Sequence, residues 1–290
     1  MSETGPLIRN ISDTARWAAV FRARETERPN AVFRDPFARR LAGARGEEIA
    51  DAMPSGEKTA WAWVTRTYLF DRSIAEQIAQ GVDLVVNLAA GLDARPYRMA
   101  VPASLRWVEV DLPEILEYKE EILANEKPAC ALERIRLDLA EVGARREIFD
   151  RLGASARKAL IITEGLLVYL STEEVGALAQ DLARPVSFVR WVLELGSPGL
   201  LRMLQRQWNE QLTRAAAPLR FAPAEGPAFF TQHGWRPAEV HSVLKTAARL
   251  RRLSLWMRFL ALMPESSGVQ GSRPWSGVCL FARDGSPSAP

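Results

Sequence analysis

Residues 84–95 and 107–113 have the types and spacing that could do chemistry. An apolar run, Leu84-Val85-Val86-Asn87-Leu88, ends in the small-residue turn Ala89-Ala90-Gly91, with Asp93 just beyond it. A second apolar run, Trp107-Val108-Glu109-Val110, ends in Asp111, followed by Leu112-Pro113. Small side chains let a backbone approach a ligand, and a carboxylate at the next strand tip can accept hydrogen bonds from a ribose. Together the two segments point to a nucleoside. Each also has a plainer reading. The turn could be a close-packed strand-to-helix turn with no ligand, and Asp111 could cap a helix opening at Pro113. The turn lacks the glycines of the G-x-G-x-x-G dinucleotide pattern, because its first two small positions are alanine.

Other residues could complete such a site. Asp138-Leu139 follow a third apolar run, where a carboxylate can meet an adenine amino group and an apolar neighbour can pack on the ring. A solvated turn explains them equally well. Glu164, in Thr163-Glu164-Gly165-Leu166-Leu167, places a carboxylate at the end of an otherwise apolar strand. Ligand crevices of open α/β sheets lie at such ends, and surface decoration explains this residue poorly. Arg66 is, on residue type alone, one arginine among many. Glu109 and Asp111 alternate on a strand and so face the same side. His233 reads as an ordinary loop histidine. Cys130 and Cys279 lie far apart and offer neither a disulfide framework nor metal spacing, so small buried side chains are expected and no metal is.

The elements that must position these residues show in the periodicity. The chain reads helical to about residue 80, with caps at Ile11-Ser12-Asp13-Thr14, a turn at Asp35-Pro36 and a helix over 67–78. Short apolar runs then alternate with helical segments. Strands are expected at 84–88, 105–110, 134–137, 160–163 and 188–195, and helices at 113–125, 141–152 and 172–183. This alternation implies a doubly wound parallel sheet with right-handed crossovers. Beyond Gly196 it breaks. A helix over 200–217 and a Pro- and Ala-rich stretch over 218–227 read as an insertion. Gly234-Trp235-Arg236-Pro237 starts a new element, two helical stretches fill 242–263, residues 264–274 read as a loop, and a last strand over 276–281 precedes a Gly-Ser-Pro tail.

Composition narrows the partners. The 290 residues carry a net charge of +3, with arginines scattered rather than striped, so no nucleic-acid partner is indicated. No apolar run is long enough to span a bilayer and no signal peptide is evident, so a cytoplasmic protein without a membrane partner is expected. Nine tryptophans are many for this length. Trp17, Trp61, Trp63 and Trp208 could line a flat or greasy acceptor pocket, or simply pack helices together.

Taken together, the motifs resemble the leucine carboxyl methyltransferase family, including its bacterial branch of small-molecule O-methyltransferases. The resemblance rests on Arg34-Asp35-Pro36-Phe37-Ala38, Arg66-Thr67, Val86-Asn87-Leu88-Ala89-Ala90-Gly91-Leu92-Asp93-Ala94-Arg95-Pro96-Tyr97-Arg98, Glu109-Val110-Asp111-Leu112-Pro113, Asp138-Leu139 and Thr163-Glu164-Gly165-Leu166-Leu167-Val168-Tyr169-Leu170, in that order. It implies an α/β, doubly wound, seven-stranded Rossmann-like methyltransferase sheet with N-terminal helices and a helical cap insertion. The cofactor would be S-adenosylmethionine. Arg66 would pair with its methionine carboxylate, and Ala89, Ala90 and Gly91 would pass under the methionine moiety. Asp111 would take the ribose hydroxyls, with Leu112 beside it, Asp138 and Leu139 the adenine, and Glu164 the amino group. The family usually has glycine where this chain has Ala89, whose methyl restricts φ.

The expected organisation is a helical segment over 1–80 contributing to a substrate cap, then a cofactor-binding domain over 81–290 with an insertion near 197–233. The expected reaction is methyl transfer to a carboxylate or hydroxyl of a small molecule. The alternatives are a protein C-terminal carboxyl methyltransferase, a nicotinamide-dependent oxidoreductase and a non-catalytic binding protein. The oxidoreductase should show the missing glycines, and the binding protein should have lost Arg66, Asp111 or Glu164. A carboxylate acceptor needs no base, whereas a hydroxyl would gain from one. A basic cavity would favour the first, and a neutral aromatic cavity the second.

Overall fold

The computed structural model describes residues 11–53, 56–214, 218–264 and 273–285. Three helices come first: α1 (Ile11–Thr26), α2 (Ala38–Ala52) and α3 (Gly56–Ala79). The caps expected at residues 11–14 are already inside α1. In α1, Trp17, Val20 and Phe21 recur at helical spacing and bury against Leu41, Ala42 and Ile49 of α2. Helix α3 starts eleven residues before the expected position 67, which puts Arg66 inside it. The extension escapes a periodicity reading because Trp61 and Trp63 serve different neighbours. Trp63 meets Trp17 and Phe21 of α1, whereas Trp61 packs against a cluster of Ala247, Leu253 and Ala261 far along the chain.

The alternating segment follows: β1 (Leu84–Leu88), α4 (Arg95–Arg98), β2 (Arg106–Asp111), α5 (Pro113–Ile122), β3 (Ala131–Arg136), α6 (Val142–Ala154), β4 (Ala159–Thr163), α7 (Thr172–Ala183) and β5 (Phe188–Gly196). Every residue of β1 and β4 is buried, as central strands covered on both faces require. Helix α7 begins as its sequence suggests, at a Ser171–Glu174 capping box. Then come α8 (Pro198–Arg214), β6 (Trp235–Ser242), α9 (Val243–Arg249), α10 (Leu255–Leu262) and β7 (Ser276–Arg283). Parts of four expectations lie outside the described residues: positions 1–10 and 54–55 of the N-terminal helical segment, 215–217 of the helix after Gly196, 265–272 of the loop, and 286–290 of the tail.

The seven strands form one sheet in the order β3-β2-β1-β4-β5-β7-β6. Parallel pairing runs from β3 to β5, as the alternation implies, and β7 is antiparallel to both β5 and β6, so the seven-stranded sheet is mixed. Strand β6 is the sheet edge. Pro237 is tolerated there because an edge N–H needs no ladder partner, and it also hid the strand from a sequence reading. Strand β3 begins at Ala131, three residues before the expected start.

Chain order reverses at β1. Strands β2 and β3 lie to one side of it, and β4 and β5 to the other. Open α/β sheets bind ligands at such a switch point, beyond the carboxyl ends of the strands. One core layer fills one sheet face with Val86, Leu88, Ile161, Trp191 and Phe281, and a second fills the other with Val85, Leu160, Ile162 and Phe70. Cys130 and Cys279 are buried free thiols, as expected, and burial pushes the Cys130 thiol up to about 11. No helix among the described residues is long and apolar enough to cross a membrane.

Candidate active site

Register alone gathers the candidate residues. Leu88 pairs with Val110, Asn87 with Ile162, and Thr163 with Leu193. The turn after β1, the tip of β2, Glu164 after β4 and Glu194 near the end of β5 therefore stand side by side. In the turn, Ala89 has φ +51°, a left-handed conformation that an L-residue with a β-carbon rarely adopts. Gly91 has φ +49°, and a β-carbon there would lie 3.3 Å from that of Ala15, so the turn needs a glycine where α1 crosses it.

Asp111 fastens this turn. Its Oδ2 accepts from the Gly91 N–H at 2.6 Å and its Oδ1 from its neighbour Leu112 at 2.8 Å. It does not cap α5, where Leu112 holds the N-cap position without a side-chain bond. Burial raises the Asp111 carboxyl despite these two donors. Glu109, two residues earlier, is fully buried and held by Lys119 at 2.6 Å and Arg134 at 2.9 Å. Its place is in the structure of the sheet.

Beyond β4 the site is ionic. Arg66 Nε donates to Glu164 Oε1 at 3.0 Å, and its guanidinium also lies 3.6 Å from Glu194 Oε1. The second oxygen of Glu164 lies 2.8 Å from buried Arg95. Arg95 further grips Asp71 at 2.6 Å and Asp93 at 2.9 Å, and Asn87 donates to Asp93 at 2.9 Å. Burial alone would raise the Asp93 carboxyl, but Arg95, Lys119 and Arg98 hold it down at about 2. Glu194 goes the other way. Burial pushes it up to about 7, with the Glu164 charge adding to the rise and Arg66 and the Gly165 N–H opposing it. Its Oε1 accepts from Gly165, and its Oε2 is buried without a hydrogen-bond partner.

A cavity of about 360 Å³ opens over these groups. Its polar end holds Ala89, Ala90, Gly91, Arg66, Asp111 and Glu164, with Glu194 beside them. Its remaining wall is largely apolar and includes all four singled-out tryptophans, Trp17, Trp61, Trp63 and Trp208. Three of them also pack together, with Trp17 5.0 Å from Trp63 and 5.1 Å from Trp208 between ring centres. Lining and packing, posed as alternatives in the sequence, are both realised.

Six of the nine expected cofactor residues thus meet at one cavity: Arg66, Ala89, Ala90, Gly91, Asp111 and Glu164. Leu112, Asp138 and Leu139 do not line it. Asp138 is exposed and its Oδ1 accepts from the Ala140 N–H at 2.9 Å, while Leu139 packs partly buried against the core. Among the charged lining residues that the sequence did not single out are Arg95 and Glu194. Glu194 carries the same signature that singled out Glu164, a carboxylate closing an apolar strand (Trp191-Val192-Leu193-Glu194), and could have been found. Arg95 could not, since only the folded chain brings Asp71, Asp93 and Glu164 around it.

The family model for leucine carboxyl methyltransferase matches residues 15–183. A Parafrankia sp. protein, provisionally named an S-adenosyl-L-methionine-dependent methyltransferase, is 35% identical over 257 residues, covering 83% of this chain and 82% of the relative. A Streptomyces coelicolor protein with the same provisional description is 33% identical over 259 residues, with coverage of 82% and 87%. Among solved structures, a DUF574 family protein from Streptomyces avermitilis shares the fold at TM-score 0.58 and 13% identity, covering 93% of this chain and 97% of that one. A provisionally named methyltransferase from Thermobifida fusca shares it at TM-score 0.56 and 17% identity, covering 96% of each. With its strand-tip motifs assembled around one cavity, the chain belongs to the leucine carboxyl methyltransferase family.

Proposed function

We propose that this methyltransferase passes the methyl group of S-adenosylmethionine to a hydroxyl of a small, apolar, flat molecule. The aromatic wall of the cavity carries this reading. Trp17, Trp61, Trp63 and Trp208 offer area and shape to a ring system. The cationic groups of the lining, Arg22, Arg66 and Arg95, already face Asp35, Glu164 and the Asp71–Asp93–Glu164 cluster. Among the described lining residues no cation is left over for an acceptor carboxylate, and Glu164 and Glu194 would repel one.

The donor set suits S-adenosylmethionine. A guanidinium and a carboxylate stand 3.0 Å apart, ready for the carboxylate and ammonium of an amino acid. Asp111, at the tip of β2, keeps lone pairs for ribose hydroxyls. When bound, the cofactor supplies a methyl on a sulfonium, whose sulfur leaves neutral, so no general acid is required. The chain's own task is to align the acceptor in a dry pocket, which can contribute about 7–11 kcal/mol at the upper end, and to remove the hydroxyl proton. Glu194 is suited to that removal, because a carboxyl near 7 is a base at neutral pH without being locked as an anion. The hydroxyl oxygen gains the methyl as its O–H bond breaks, and the proton passes to Glu194.

The test is an acceptor panel. Purified protein and S-adenosylmethionine are incubated with lipophilic phenols and with matched carboxylic acids, and products are read by mass spectrometry. Methyl ethers are expected, and Glu194→Gln should lower kcat about 100-fold or more with cofactor affinity unchanged. Methyl esters alone, or full activity in Glu194→Gln, would sink the reading.

A further inference from the structure

Helix α10 shows solvent a face that soluble proteins normally bury. Leu255 is 75% exposed, Trp256 71%, Phe259 67% and Leu262 80%, with Leu260 and Met263 also open. Contiguous exposed apolar surface marks an interaction site, whereas scattered single residues do not. Among the described residues the helix turns inward through Ala261, which clusters with Ala247 and Leu253, and through Met257, which packs on that cluster as Trp61 and Leu244 do.

Charge says what the face meets. Residues 240–264 include Lys245, Arg249, Arg251, Arg252 and Arg258 and no acidic residue at all. Arg252 is committed to Glu25 at 2.6 Å, while Arg249, Arg251 and Arg258 are exposed. The segment that carries Trp256, Phe259 and Leu262 is thus basic between Glu239 and Glu265, which matches an anionic lipid surface. The apolar side chains enter the acyl boundary, and the guanidinium groups stay with the headgroups. Eight residues span roughly 12 Å, too short to cross a bilayer and long enough to lie in its interface. The expectation of no membrane partner rested on the lack of a spanning run, which has no bearing on one-sided contact.

The position of α10 gives such contact a use. Trp61 packs against the buried cluster that holds Ala261 of α10 and also lines the cavity, so the helix sits on the outer side of the cavity wall. We propose that α10 docks this protein on anionic membrane surfaces, and that the cavity faces the bilayer side from which a lipophilic molecule would come.

The experiment is co-sedimentation of the full chain with phosphatidylcholine vesicles, with and without phosphatidylglycerol, at low and high salt. Binding is expected on the anionic vesicles, weak on neutral ones and reduced by salt. Trp256→Ser with Phe259→Ser should weaken it at least about tenfold. Arg251→Glu with Arg258→Glu should weaken it on anionic vesicles and flatten its salt dependence. All four positions are exposed, so unchanged circular dichroism and Tm are expected and serve as the folding check. Absence of binding, or equal binding by the Trp256/Phe259 variant, overturns the proposal. So does a parent chain that sediments as a dimer and separates into monomers when Trp256 and Phe259 are replaced, which would make the face a subunit contact. None of these readouts depends on the acceptor, so failure of the hydroxyl reading leaves the result interpretable.

Discussion

Ala89 holds a backbone conformation that glycine holds freely. A left-handed L-residue costs about 1–2 kcal/mol, and glycine returns about 0.4–1 kcal/mol of that through the entropy of the unfolded chain. Ala89→Gly should therefore stabilise the protein by about 0.5–1 kcal/mol in urea unfolding. A loss of stability would mean that the methyl makes contacts worth more than its strain. Glu194 supplies a pH test. Its folded value, about 7, lies above the ordinary carboxyl range, so the folded state holds the proton more tightly than the unfolded chain. This contribution is complete below about pH 4.5 and is lost as pH rises through about 7, about 3 kcal/mol in all. Urea melts at pH 5 and pH 8 should show that fall, and Glu194→Gln should remove it. An identical pH slope in the variant would exclude Glu194 as its source.

At the scale of elements, the four-residue helix α4 is the joint between the β1 turn and the rest of the site. Arg95 ties its first turn to Asp71 of α3, to Asp93 and to Glu164 beyond β4. Arg95→Leu leaves three carboxylates without their shared cation and should cost about 3–5 kcal/mol in unfolding free energy. A change below 1 kcal/mol would show that water replaces the guanidinium. Strands β1, β4 and β5 and helix α7 could be read to within about one residue from apolar runs and caps, because burial on both faces leaves little freedom in composition. Strand β6 and the first half of α3 could not. The former is a half-exposed edge interrupted by Pro237, and the latter sends its two tryptophans to opposite neighbours. The same logic applies to the site. Asp111 and Glu164 announce themselves as acids ending apolar strands, while Arg66 gains meaning only when α3 folds back over the sheet.

At the scale of the whole molecule, the cavity draws its wall from α1, α3 and α8 and its floor from the sheet tips. A ligand there bridges parts that are distant in sequence and should stabilise the chain as one unit. At about 100 times its Kd, S-adenosylmethionine should add about 2.7 kcal/mol and raise Tm by roughly 5–10 °C. Asp111→Ala, losing about 1.5–3 kcal/mol of cofactor affinity, should erase most of that shift at the same concentration. An undiminished shift would remove Asp111 from the binding site. One earlier detail governs what enters. Arg66 and Glu164 hold each other at 3.0 Å. On the proposed reading, each is the other's stand-in for half of an amino acid. A molecule with both charges exchanges one ion pair for two, and the balance of charge is kept. A molecule with only one of them breaks the pair without replacing it, leaving Glu164 to Arg95 alone or Arg66 to Glu194 alone. On that reading the pair should favour zwitterions over singly charged look-alikes of the cofactor.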